Sequence, residues 1–252
     1  MKKEYKKAIK KIINSNKLHN KANPFFNHTV GDAQYDLVYN SSTGKWDLLN
    51  KQPLINNAAS NNIIVILESP HIDEFDGSGL GKMALMNDDF FKKNFGQLIN
   101  GSIKLNSQLN QQTKYKICLI NAIQFQCSLG LPTEYYRDFV FLYYWRRLHL
   151  NFEKRLMSLI NPNTYAIVNL CTKGSHRKCL NLYNSVSNQK DYMYKSCCNK
   201  FIVKIYDSNS SCKSLQDLVG ESIDAVIKTF PYNVPTTEGT HPSSWCYGGK
   251  IK

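Results

Sequence analysis

Hydrophobic positions change their period along the chain. Near the start, Tyr5, Ala8, Ile9, Ile12 and Ile13 recur at helical spacing with lysines between them, which predicts a basic amphipathic helix. Residues 33–40 (AQYDLVYN) and 45–50 (KWDLLN) alternate apolar and polar side chains about Ser41-Ser42-Thr43-Gly44, the pattern of a β-hairpin. From residue 61 onward, apolar runs alternate with helical stretches. The runs 62–67 (NIIVIL), 115–120 (YKICLI), 164–170 (TYAIVNL) and 201–206 (FIVKIY) predict four buried strands. Helices are predicted near 87–99, over 133–160 with Thr133 as its cap after Pro132, over 174–186 and over 214–230. Strands separated by helices pair in parallel and carry helices on their faces. The expected fold is therefore α/β, a three-layer α/β/α arrangement with a four-stranded, mainly parallel sheet. Residues 1–60 are expected to add an N-terminal basic helix and hairpin as an appendage to an α/β domain over 61–252. No internal repeat and no low-complexity linker interrupts the pattern.

Composition narrows the class. The chain has 252 residues and is 42% hydrophobic, enough for a large core and too much for a disordered chain. No apolar run approaches the ~20 residues that span a bilayer. The start, MKKEYKKAIKKI, has the charge of a signal peptide but not the apolar stretch and cleavage site that follow in one. A cytoplasmic protein without membrane attachment is expected. Eight cysteines stand at 118, 127, 171, 179, 197, 198, 212 and 246, and no CxxC pair occurs. Neither a metal nor another cofactor is expected, and Cys118 and Cys171 read as reduced core thiols. The net charge of +13 favours a polyanionic partner, here nucleic acid. The lysines of the first helix either face water or meet a phosphate backbone.

In a parallel sheet, ligands bind beyond the carboxyl ends of the strands. The first predicted strand ends on Glu68-Ser69-Pro70-His71, with Asp73 and Glu74 following. The second ends on Asn121. The third leads into Cys171-Thr172-Lys173 and then Gly174-Ser175-His176 at a helix start. Near the C-terminus stands THPSSW (240–245). Each group alone has a plain structural use. Glu68 can cap a helix or pair with a lysine, Asn121 can form a turn, His241 can be a satisfied structural histidine, and Gly174-Ser175 can be a turn and N-cap. Their recurrence at successive strand ends, as acid, amide, anion-binding helix start and imidazole, points to a site.

These segments resemble the motifs of the uracil-DNA glycosylase superfamily. ESPH (68–71) resembles its first active-site motif, most closely the EAPG form of the iron–sulfur branch. LINAIQ (119–124) resembles the second, whose asparagine reads the base edge. GSHRK (174–178) resembles the GSHAQK segment of the main branch, and THPSSW resembles the final His-Pro-Ser motif. The resemblance covers residues 60–250 and implies a four-stranded parallel sheet between helices. It implies a DNA N-glycosylase, a hydrolase that flips a base out of DNA and leaves an abasic site. Cleaving the N-glycosidic bond builds positive charge on the sugar and negative charge on the base. On the resemblance, Glu68 stabilises the first and orients water, and His241 stabilises the second. Asp73 or Glu74 is the alternative acid. Asn121, with Ser69, Pro70 and His71, would bind the base. Gly174, Ser175 and Ser243 would hold phosphates, and Trp245 stands where the family carries a leucine wedge. Trp245 is otherwise a core or surface residue.

Departures from the family pattern shape the rest of the expectation. The iron–sulfur branch's cysteines are absent, so no cluster is expected. Ser69 replaces the main branch's aspartate. The helix over 214–230 separates the fourth predicted strand from the His motif, and seven residues follow Trp245. The aromatic that stacks on uracil is replaced by GSGLGKMAL (77–85), which lacks the Lys-Ser/Thr ending of a P-loop. Gly77, Gly79 and Gly81 suggest a roomier pocket, for a modified pyrimidine of the kind found in viral DNA, with Phe75 or His71 as the stacking face. DNA repair and phage defence are both open as settings. The alternative is a catalytically silent member of the fold that binds DNA or senses bases. Hydrolysis of free nucleosides fits the +13 charge less well.

Overall fold

The computed structural model describes residues 29–54, 60–70, 109–125, 127, 137–174 and 213–239. Strand β1 (Ala33–Asn40) and strand β2 (Lys45–Pro53) form the expected hairpin. Its loop closes on Asn40. The Asn40 carbonyl accepts the Gly44 N–H at 2.9 Å, and its Oδ1 accepts the Ser42 N–H at 3.1 Å. Gly44 sits at φ +67°, a left-handed conformation that glycine adopts without steric cost.

Strand β3 (Asn62–Leu67) is buried along its whole length. That is why it reads as an unbroken apolar run rather than an alternating one. It lies between β4 (Tyr115–Asn121) and β5 (Thr164–Asn169), parallel to both. Helix α1 (Arg137–Leu159) precedes β5, and helix α2 (Leu215–Ile227) follows it. A last short strand, β6 (Thr236–Glu238), pairs in parallel with β5. The α/β class is as the sequence predicts.

The strand count is not. Among the described residues the sheet has six strands in the order β2-β1-β4-β3-β5-β6, where four were expected. Two come from the hairpin. Its β1 pairs antiparallel with β4, from Ala33 opposite Leu119 to Leu37 opposite Tyr115, so the hairpin extends the main sheet. An aromatic row seals this junction. Trp46 is 1% exposed and meets Tyr39 and Tyr115 edge-on, with ring centroids 5.3 and 5.8 Å away, and Tyr115 meets Tyr165 in the same way. The sixth strand, β6, is too short to leave a periodic signal. The expected strand at 201–206, the N-terminal helix and the helices near 87–99 and 174–186 lie outside the described residues.

Two apolar clusters cover the faces of the sheet. One holds Ile64, Ile66, Cys118, Ile120 and Ile167 against Phe141, Phe152 and Leu156 of α1 and Leu215, Val219 and Ile223 of α2. The other holds Ile63, Val65, Leu67, Ile117, Leu119 and Val168 with the hairpin residues Tyr35, Leu37 and Trp46. Both described helices thus pack on one face. Helix α2 starts at a capping box, in which Ser214 accepts the Asp217 N–H at 3.0 Å and Asp217 accepts the Ser214 N–H at 2.9 Å. No described helix is long and apolar enough to cross a membrane.

Candidate active site

The four parallel strands β4, β3, β5 and β6 end on Asn121, Leu67, Asn169 and Glu238, and the predicted site residues among the described ones lie at or just after the ends of β4, β3 and β5. Glu68 comes directly after β3. Pairing runs on past the strand, with the Ala122 N–H donating to the Leu67 carbonyl at 2.7 Å and the Ile123 N–H to the Glu68 carbonyl at 3.0 Å. The Glu68 backbone is thereby fixed. Alternation turns its side chain to the face of Ile64 and Ile66, toward α1.

There the carboxylate is 2% exposed. Its Oε1 lies 3.4 Å from Arg137 Nε, at the first turn of α1, and accepts the Ser69 hydroxyl at 3.4 Å. Its Oε2 has no hydrogen-bond partner among the described residues. Burial pushes the Glu68 carboxyl up from 4.5 to about 7, against the pull of Arg137 and with a further push from Asp138. Arg137 compensates only in part because Asp138 takes the closer contacts, at 3.0 Å to Nε and 2.9 Å to Nη2. Its guanidinium is in turn held protonated by Glu68 and Asp138 despite its own burial. The buried thiols of Cys127 and Cys171 are pushed well up by burial first and by Glu68 second, so they stay neutral. The result is a carboxyl group that changes charge near neutral pH, which suits acid–base work.

Asn121 ends β4 directly opposite Leu67. Its main chain is clamped on both sides. The N–H points at Asp32 Oδ1 at 3.4 Å, and the carbonyl accepts Arg155 Nη2 at 2.7 Å. Arg155, on α1, also forks onto both oxygens of Asp32, at 2.9 and 2.7 Å. The side chain is a different matter. Asn121 is 0% exposed, yet neither its Oδ1 nor its Nδ2 has a hydrogen-bond partner among the described residues.

Asn169 is the internal comparison. It ends β5, is 2% exposed, and is fully engaged. Its Nδ2 donates to the Gln216 carbonyl at 3.0 Å, and its Oδ1 accepts the Cys171 N–H at 3.1 Å. Gln216 Nε2 also bridges the Asn169 and Gly239 carbonyls, at 3.1 and 2.9 Å, and so ties α2 to the ends of β5 and β6. A buried amide without partners costs about 1–3 kcal/mol, so native structures retain few of them.

No family model, curated protein or solved structure matches this chain. The site therefore stands on its own geometry.

Asn121 ends β4, and Glu68, Ser69, Pro70 and Gly174 follow the carboxyl ends of β3 and β5. Ser69 spends its hydroxyl on Glu68, and Pro70 is buried. Gly174 sits at φ +74° with its N–H on the Thr172 hydroxyl at 3.2 Å, a left-handed turn that asks for glycine. His71, Ser175, His241, Ser243 and Trp245 lie outside the described residues, as do Asp73, Glu74, Phe75 and the glycines at 77, 79 and 81. Alternation also separates two partners. Glu68 turns to the face of Ile66, whereas Asn121 follows Ile117 and Leu119 on the opposite face. The separation of the His motif from a strand is removed, because β6 follows α2 and ends three residues before His241.

Sequence reasoning passed over Arg137, Asp138, Arg155, Asp32 and Gln216. Arg137 and Asp138 left one signal, a charged pair directly ahead of the apolar run FVFLYYW. Arg155 and Asp32 left none, being 123 positions apart. Among the described residues, no group of three His, Cys, Asp or Glu side chains could hold a metal.

Proposed function

We propose that this chain is a DNA glycosylase that binds a flipped, modified pyrimidine and hydrolyses its N-glycosidic bond. The observation that carries the reading is the Asn121 amide, buried at a strand end with donor and acceptor both unmet among the described residues. An amide of this kind can pair with the Watson–Crick edge of a pyrimidine, where a donor and an acceptor stand side by side. Glu68 at the adjacent strand end supports the catalytic half of the reading. Its carboxyl, raised to about 7, supplies an anion above neutral pH to balance charge on the sugar and hold water. His241 stands three residues after the end of β6 in the sequence and would stabilise the departing base. The charge of +13 suits a DNA partner.

One observation favours the second reading, a silent base-binding protein. Glu68 and Asn121 leave their strands on opposite faces, so the amide can read a base without the acid reaching the sugar. Incubating the chain with duplex and single-stranded DNA separates the two. The panel carries uracil, mismatched thymine and bulky 5-substituted cytosines. Released base and alkali-labile abasic sites, lost in Glu68→Gln, are the expected result. Tight binding without base release from any substrate would establish the silent reading instead.

A further inference from the structure

Every charged or titratable group that faces Glu68 among the described residues can be named. Helix α1 contributes Arg137 and Asp138, the segment after β4 contributes Cys127, and the segment after β5 contributes Cys171. Ser69, beside Glu68 in the chain, adds a hydroxyl. Both thiols are neutral, so among the described residues Arg137 and Asp138 are the two charges that act. Their contacts are unequal. Asp138 is 0% exposed and holds the guanidinium at 3.0 and 2.9 Å, whereas Glu68 meets it once, at 3.4 Å through Oε1.

A guanidinium forked squarely onto Glu68 would occupy both oxygens and hold the group as a spent anion. Here the neighbouring acid takes the close contacts and turns the cation aside. Glu68 Oε1 is anchored, and Oε2 is left without a partner among the described residues. We propose that Arg137 and Asp138 form a positioning pair for Glu68: Asp138 fixes the guanidinium, the guanidinium anchors Oε1, and Oε2 is kept as the working oxygen. The working role of Oε2 rests on the glycosylase reading; the pair itself rests on the contacts.

The pair makes predictions of opposite sign. Arg137→Gln removes the one cation that faces Glu68 among the described residues, so the neutral acid gains and Glu68 titrates higher. Asp138→Asn removes a neighbouring anion and frees the guanidinium to turn onto Glu68, which then titrates lower. Arg137→Lys keeps the charge but cannot bridge two acids as a planar fork does.

The experiment is a carbon-13 carboxyl titration of the full chain labelled in glutamate. The Glu68 signal is assigned by its loss in Glu68→Gln. Excision rates of the same variants are measured against pH on the DNA panel. Expected are a Glu68 midpoint near the wild-type value of about 7, an upward shift of about one unit or more in Arg137→Gln, and a downward shift in Asp138→Asn. Arg137→Lys falls between wild type and Arg137→Gln. The rate midpoint moves with the carboxyl midpoint. If Arg137→Gln does not fold, Asp138→Asn carries the same test with the opposite sign. An unmoved midpoint in the folded variants, or shifts of the same sign, overturns the pair. Shifts as expected with no base released by any form keep the pair and remove the glycosylase reading.

Discussion

Asn121 and Asn169 have the same residue type, the same place at a strand end and the same near-complete burial. Among the described residues only Asn169 is met, by Gln216 and the Cys171 N–H. Their substitutions by leucine therefore part company. Asn169→Leu leaves a buried N–H and a buried carbonyl unpaired and is expected to cost roughly 2–4 kcal/mol. Asn121→Leu removes two polar atoms that are unmet among the described residues and is expected to be neutral or to stabilise by about 1 kcal/mol, while abolishing the proposed base binding. Urea unfolding of both variants checks this. A large loss of stability in Asn121→Leu would show that its amide is structurally engaged.

Glu68 gives a residue-scale prediction in pH. Its folded value of about 7 lies above its ordinary 4.5, so the folded state prefers the protonated group. Its contribution to stability is complete below pH 4.5 and is lost as pH rises through 7, a change on the order of 3 kcal/mol. Glu68→Gln is expected to flatten this part of the profile and to be the more stable protein at pH 8. The check is denaturant unfolding at intervals from pH 4.5 to 8. Parallel curves for wild type and variant would remove the buried-acid assignment.

At the scale of elements, α1 acts as a strut between the two candidate site residues, Glu68 and Asn121. Its first turn meets Glu68, and Arg155 near its other end meets Asp32 ahead of β1 and the carbonyls of Asn121 and Ala122. The Asp32 carboxyl is raised by burial even though Arg155 lowers it, so the network is not a large source of stability. Its effect is positional, joining hairpin, helix and the end of β4. Breaking one side leaves a buried charge, and Arg155→Met alone is expected to cost about 3–5 kcal/mol. The double change Asp32→Leu with Arg155→Met is expected to recover much of that loss. A double-mutant cycle with no coupling energy would contradict the bond geometry.

For the whole molecule, the dominant property is charge. A protein of net charge +13 that contacts phosphates releases counterions as it binds. The logarithm of DNA affinity is expected to fall linearly with the logarithm of salt concentration, by roughly 0.9 for each phosphate met on duplex DNA. Fluorescence anisotropy of a labelled duplex from low to moderate salt tests this. A flat dependence would remove nucleic acid as the partner, whatever the site contains.

What the sequence determined by itself is local. The run at 62–67 announces a strand buried on both faces, and alternation about Ser41–Gly44 announces the hairpin, because side-chain period is a property of neighbouring residues. The residue types at the strand ends are equally plain, since a carboxylate or amide after an apolar run needs no tertiary information to be noticed. Tertiary structure decided the rest. The pairing of β1 with β4 joins Ala33 to Leu119, and no periodicity carries a register across that distance. Strand β6 has three residues and exists through its bonds to β5. The different states of Asn121 and Asn169 depend on where α2 delivers Gln216 and on which face each side chain leaves. The pull on Glu68 depends on how Arg137 divides itself between two acids. Burial, register and hydrogen-bond partners belong to pairs of residues far apart in the chain, so they come into being only when the chain has folded.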